Sequence, residues 1–130
     1  MTGRDDSNAI YENTLGELET GILLSQWLGT NAESAASGWD GDRYRLIEKD
    51  GKKVLLWQTI WDDAASADRF TNDYNAIAKK RPDRAILVTR NQVGGREGVL
   101  VVDAPKSANA QLTEFAQAAA AVVPGDGTNE

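Results

Sequence analysis

The stretch RYRLIEKDGKKVLLWQTIW, Arg43–Trp61, decides how the chain is read. Two runs rich in aliphatic, β-branched and aromatic residues flank Asp50-Gly51, a dipeptide that tolerates the positive φ values of a tight hairpin turn. With those two residues as the turn, Ile47 pairs with Val54, Leu46 with Leu55 and Tyr44 with Trp57. Side chains alternate across a strand, so this register puts Tyr44, Leu46, Leu55 and Trp57 on one face, which is assigned to the core. Arg43, Arg45, Leu56 and Gln58 share the other face, which is half polar and expected to be at least partly wet.

Downstream of this hairpin, Asp62 or Asp63 is placed to cap a helix in which Ala67, Phe70, Tyr74 and Ile77 fall on one stripe, before KKRP ends it. RAILVTRNQV and EGVLVVD then read as a second hairpin turning on Gly94-Gly95. Ser107 is expected to open a last helix that buries Leu112, Phe115, Ala119 and Val122. Upstream, TLGELETGILLSQWLG carries Thr14 and Glu17 at the spacing of a capping box. Leu15, Leu18, Ile22 and the Leu23–Trp27 region supply an apolar face, and Gly29 stands where a C-terminal cap belongs. NAESAASG reads as a short helix with Asn31 as N-cap and Gly38 as its stop.

These elements predict an α+β domain: an N-terminal helix followed by two ββα units, with a four-stranded, mainly antiparallel sheet packed against helices on one main face. Residues 1–12 are expected to be a flexible N-terminal segment, 13–123 the single domain and 124–130 a flexible tail, because both ends are rich in Gly, Asp, Asn and Ser.

Composition limits the chemistry. At 130 residues with 41% hydrophobic content, the chain has the size and the apolar supply of one domain. Its 20 acidic against 14 basic residues give a formal charge of −6, and the bases form no stripe, which argues against nucleic acid as a partner. No apolar run approaches the roughly 20 residues that span a bilayer, and the polar start MTGRDDSNAI is unlike a signal peptide, so a soluble chain with no membrane insertion is expected. With no cysteine and no histidine, thiolate and imidazole metal sites and Ser-His or Cys-His pairings are excluded within this chain. No cofactor, metal or catalytic residue is expected. The acidic balance is shared by salt-adapted proteins and by many ordinary ones, and it decides little.

One stretch is chemically concentrated. GWDGDRYRL, Gly38–Leu46, offers Trp39 as a stacking platform, Asp40 and Asp42 as oxygen donors and Arg43 as an anion clamp, with Tyr44 and Trp61 as neighbouring ligand contacts. The same residues also suit a structural corner in which Trp39 fills the gap between the first helix and the sheet and Asp42 pairs with an arginine. Trp57 and Trp61, with Tyr44 opposite Trp57, line either an aromatic pocket or a core under a helix. The basic runs KDGKK and KKRPDR sit at a turn and a helix end, where Lys and Arg favour solvent and the helix dipole over a phosphate. Glu48, Glu97 and the aspartates supply carboxylates, but sequence does not bring any two of them face to face.

NTLGEL, ASGWDGDRYRL and VLLWQTIWDDAASADRF, in that order, resemble the C-terminal domain of uncharacterised haloarchaeal surface proteins. They are also similar to the region following the HExxH segment in related bacterial proteins that look like metallopeptidases; the match runs over about Asn13–Tyr74. The resemblance implies an accessory domain, an extracytoplasmic or cell-surface location and a halophilic archaeal origin. The His-x-x-x-His zinc pair of those relatives has no counterpart in a chain without histidine, so no catalytic residue carries over. The expectation is a non-catalytic interaction or ligand-binding module whose partner is a protein or a small ligand. The alternative is a purely structural or assembly domain working with a separate catalytic chain, and a carboxylate-based hydrolase is the third reading.

Overall fold

The computed structural model describes residues 9–29, 31–49 and 51–119. Five strands and four α-helices follow in the order β1 (Ala9–Asn13), α1 (Glu17–Leu28), α2 (Ala32–Ala35), β2 (Trp39–Lys49), β3 (Lys52–Trp61), α3 (Ala64–Lys79), β4 (Arg84–Val93), β5 (Arg96–Pro105) and α4 (Leu112–Ala119). A 3₁₀ turn, Lys106–Gln111, leads into α4. The chain is a mixed α+β fold on one antiparallel sheet with strand order β1-β2-β3-β5-β4.

The β2–β3 register is the one the Asp50-Gly51 turn requires: Ile47 faces Val54, Leu46 faces Leu55 and Tyr44 faces Trp57. Gly51, at φ 78°, supplies the left-handed residue of that turn. The β4–β5 hairpin turns on Gly94 and Gly95 in the same way, pairing Val93 with Arg96. A β-bulge between Trp39 and Gly41 offsets the start of β2 before the regular ladder begins.

Three expectations about the sheet are corrected. It has five strands, the additional one being β1, which pairs with β2 along the edge and falls within the segment read as flexible. Among the described residues the first element is therefore a strand rather than a helix, since β1 precedes α1. Helices also cover both faces rather than one. On the first face, Leu24 of α1, Ala35 of α2, and Ala67, Phe70, Tyr74 and Ile77 of α3 pack against Trp57, Trp61, Val99 and Val101. On the second, Ala108 and Phe115 of the C-terminal segment pack against Val54, Leu56, Leu100, Val102 and Ala104. The central strands β3 and β5 are thus coated on both sides, which is why both read as almost continuous apolar runs.

The second face is correspondingly drier than its half-polar composition suggested, with Leu56 and Gln58 only 5% and 8% exposed. Gln58 is buried without loss of hydrogen bonding, because its side-chain amide and that of Asn91 pair reciprocally at 3.0 and 2.8 Å. That pair crosses β5 over Gly98, where a Cβ would stand 2.5 Å from Asn91 Oδ1, so the glycine provides the space for the bridge. Arg43 and Arg45 stay nearer the edge, both beside Glu12 of β1 at 3.6 and 3.5 Å.

Local chemistry starts and stops the helices. Asp63 accepts the Ser66 N–H as N-cap of α3, and the Ser66 hydrogen bonds hold its carboxyl below the ordinary value. Asn31 caps α2 through the Ser34 N–H, and Gly29, left-handed at φ 71°, closes α1. Gly21 allows α1 and α2 to touch, since a Cβ there would lie 2.3 Å from the Ala32 carbonyl oxygen. The last helix begins at Leu112 after the 3₁₀ turn rather than at Ser107. Of the core residues expected in that helix, Phe115 is buried and Leu112 packs against the second face. The Ala119 side chain and Val122 lie outside the described residues, as does residue 50 of the first hairpin turn. No helix among the described residues is long and apolar enough to cross a membrane.

Candidate functional site

The junction between the beginning of α1 and the sheet is organised by Asp42. The N-cap position of α1 is Gly16, and the amides of Leu15 and Gly16, on the segment entering the helix, need an acceptor from elsewhere. Asp42 supplies it: Oδ1 accepts the Gly16 N–H at 2.8 Å, and Oδ2 accepts the Leu15 N–H at 2.8 Å and the Trp57 indole N–H at 2.9 Å. The Thr14 hydroxyl donates to the Asp42 carbonyl at 3.1 Å. The Thr14–Glu17 capping box does not form: the N-cap is Gly16, with no side-chain cap hydrogen bond, and a carboxylate from another element holds the two amides that precede the first turn. A negative charge beside the positive end of the helix dipole adds to the same effect.

This clamp lays α1 over the sheet without closing the space beneath it. A pocket of about 220 Å³ remains, with Leu15 and Leu23 above, Tyr44, Leu55 and Trp57 below and Tyr74 of α3 at its side. Its lining contains no charged residue. Trp57 is fixed from two sides: Asp42 holds its N–H, while Phe70 and Tyr74 meet its ring edge-on at centroid distances of 5.5 and 5.9 Å.

Burial pushes the Tyr74 phenol up to about 12, with the Asp103 charge adding to the shift and Arg81 opposing it. Asp103 itself is held by Arg84 at 2.7 Å and Arg81 at 3.3 Å. Because the folded-state value lies above the ordinary phenol value of 10.0, the neutral phenol favours folding fully below about pH 10, and that contribution is lost as pH rises towards 12. Urea unfolding midpoints measured from pH 8 to 12 should therefore fall steeply above pH 10. Tyr74→Phe should flatten this limb, whereas an unchanged limb in that variant would assign the alkaline transition to other groups.

The six residues singled out in the sequence separate in space. Asp42 is buried in its three hydrogen bonds and meets no arginine among the described residues. Trp61 is 1% exposed, donates its N–H to the Thr59 hydroxyl at 2.8 Å and stacks beside Phe70. Trp39 packs against the first-face core, and its buried indole nitrogen has no partner among the described residues. Asp40 pairs with Arg96, and Arg43 lies beside Glu12, both at the surface. Tyr44 alone lines the pocket. The two carboxylates expected to act together, Asp40 and Asp42, are thus engaged with different partners in different directions.

Sequence reading did not find Leu15, Leu23 and Tyr74 as pocket residues, nor the Arg81–Asp103–Arg84 group beside Tyr74. Leu15, Leu23 and Tyr74 appear in the sequence only as members of apolar helix faces. The signal that was available is Tyr44 opposite Trp57, which already gives two aromatic walls. The basic run KKRPDR contributes Arg81 and Arg84 to Asp103, while Lys80 reaches the Trp27 carbonyl at 2.9 Å.

In comparison with protein families, the model of a family described as a domain of unknown function, DUF8575, matches residues 6–129. The chain belongs to the DUF8575 family. The match takes in every element of the described fold, so the Asp42 clamp and the pocket lie within the DUF8575 domain itself. No curated protein and no solved structure matches the chain.

Proposed function

We propose that this DUF8575 domain is a non-catalytic ligand-binding module whose ligand seats in the pocket between α1 and the sheet. The observation that carries this reading is the pocket itself: about 220 Å³ of preformed, uncharged space whose aromatic walls are locked by hydrogen bonds outside it. The only ionisable side chains in the lining are the phenols of Tyr44 and Tyr74. Burial pushes the Tyr74 phenol up to about 12, so it is neutral at ordinary pH and the lining is uncharged. The accessory-domain relation to a larger surface-associated family belongs to this proposal as the setting in which such a module works.

The assembly alternative calls for a broad apolar surface. Among the described residues, the large hydrophobics that reach solvent are Leu18 and Trp27, at opposite ends of α1. Two separated side chains fall short of the several hundred Å² typical of a docking patch.

Thermal unfolding scanned against small apolar molecules, divalent metals, sugars, nucleotides and short peptides, at low and molar salt, tests the reading. Apolar molecules of pocket size should raise the unfolding temperature, with a stabilisation of about 2.7 kcal/mol at a hundredfold excess over Kd. Stabilisation by metals or nucleotides instead, or by nothing in the panel, would overturn it.

A further inference from the structure

β4 ends the sheet on one side, and it lacks the devices that usually keep an edge strand from pairing further. The opposite edge has them: β1 is five residues long, and its register is broken between Ala9 and Tyr11. β4 runs for ten residues, pairs with β5 without interruption from Arg84 to Val93, and holds neither proline nor lysine. Its charges stand at Arg84 and Arg90, both already in ion pairs, the first with Asp103 and the second with Asp68 and Glu97. Between them Ile86, Leu87 and Val88 are half-buried, on both faces of the sheet, whereas the β5 residues opposite are buried.

The main chain of this edge has a fixed polarity. The two-residue turn at Gly94-Gly95 makes Val93 and Arg96 the first hydrogen-bonded pair of the hairpin, so the odd-numbered residues of β4 direct their N–H and C=O groups to β5. Ile86, Val88 and Arg90 direct theirs outward, and no strand lies beyond them among the described residues. The Thr89 hydroxyl meets the Arg90 carbonyl at 3.5 Å, which leaves that oxygen a lone pair for another donor.

A second β4, antiparallel to the first, matches this edge. Two-fold symmetry requires outward-pointing residues to meet outward-pointing ones, so the axis passes through a residue of the strand. An axis at Leu87 would set Arg84 against the second copy's Arg90, and like charges directly opposite are unfavourable. An axis at Thr89 would set Ile86 and Val88 both against polar side chains. With the axis at Val88, that valine meets itself, Ile86 meets the stem of the second copy's Arg90, and Leu87 meets Thr89 on the other face. No two arginines are then opposed.

We propose that the β4 edge is a self-association surface, on which the β4 strands of two copies pair about Val88 so that one sheet runs through both molecules. Main-chain hydrogen bonds carry such an interface, so it needs no broad apolar patch. Aliphatic residues at its centre and arginines towards its ends follow the plan of an apolar core inside a polar rim. The proposal is independent of the ligand pocket, which lies under α1.

The test is sedimentation velocity on the whole chain from about 1 µM to about 1 mM, together with amide hydrogen exchange at both ends of that range. Wild type should pass from monomer to dimer, and the Ile86, Val88 and Arg90 amides should become protected only at high concentration. Val88→Glu and Val88→Lys each set like charges across the axis and should weaken dimerisation by at least about a hundredfold, while an equimolar mixture of the two should form a heterodimer. Circular dichroism checks that both variants fold; if they do not, the exchange measurement on wild type decides alone. A monomer throughout the range, exchange at these amides that ignores concentration, or a folded Val88→Glu protein that dimerises as wild type does would each overturn the proposal. Protection of the same amides in the monomer would also overturn it, by showing that another part of the same chain covers the edge.

Discussion

Asp42→Ala should destabilise the protein by about 3–5 kcal/mol, the range for stripping a buried charged acceptor from the groups it satisfies. Three donors lose their partner at once: the Leu15 and Gly16 amides and the Trp57 indole. Asp42→Asn should cost nearly as much. It keeps the shape but offers one carbonyl oxygen to three donors and turns an N–H₂ towards one of them. Equilibrium unfolding in urea reads both variants. A double-mutant cycle with Trp57→Phe isolates the indole bond, with a coupling of about 1.5–3 kcal/mol expected for a hydrogen bond to a charged group. A loss below about 1 kcal/mol in Asp42→Ala would show that water replaces the carboxylate and that α1 does not depend on it.

Phe70→Ala should be comparably severe, at about 3–5 kcal/mol. Phe70 is fully buried, and its ring lies at the centre of the aromatic group, 5.0 Å from Trp61, 5.5 Å from Trp57 and 5.8 Å from Tyr74. The helix and the sheet are held at fixed separation by these three larger rings, so the space vacated by Phe70 cannot collapse, and the cavity adds to the lost transfer free energy. Phe70→Leu, which keeps most of the volume, should recover more than half of the loss. A small loss in Phe70→Ala would mean that α3 resettles onto the sheet, and the Trp57 environment would then change in near-ultraviolet circular dichroism.

What could be read from the sequence was what local chemistry specifies. The β2–β3 register follows from a two-residue turn and strict alternation, and the turn leaves no freedom to slip by one residue. The buried stripe of α3 follows from a clean helical period, and its cap from an aspartate adjacent to the first turn. What could not be read came from contacts distant along the chain. β1 is short and ends in polar residues; it is a strand because β2 presents a free edge to it. The carboxylate that anchors the entry to α1 lies 26 residues beyond Gly16, so the nearer Thr14–Glu17 spacing misled. The coating of the second face depends on where the C-terminal segment turns back, which the strand pattern of Arg43, Arg45, Leu56 and Gln58 does not contain. The pocket is a negative space between two elements, and apolar residues that line a space are written in sequence the same way as those that fill one.

The two-sided burial of β3 carries a hazard before folding is complete. Val54–Trp61 is eight consecutive residues with no charge and no proline, rich in β-formers, and its nearest partner in the sheet after β2, strand β5, is made some forty residues later. While that partner is missing, the run is a sticky segment able to pair with its own kind in other chains. Its flanks bear the charges that oppose such pairing, Lys52 and Lys53 on one side and Asp62 and Asp63 on the other, and the uncharged run 98–102 within β5 is bounded likewise by Arg96, Glu97 and Asp103. Lys53, Asp62 and Asp63 lie exposed in the finished molecule. Apart from the cap that Asp63 gives α3, their contribution falls earlier, in keeping newly made chains apart until helices close over both sides of the sheet.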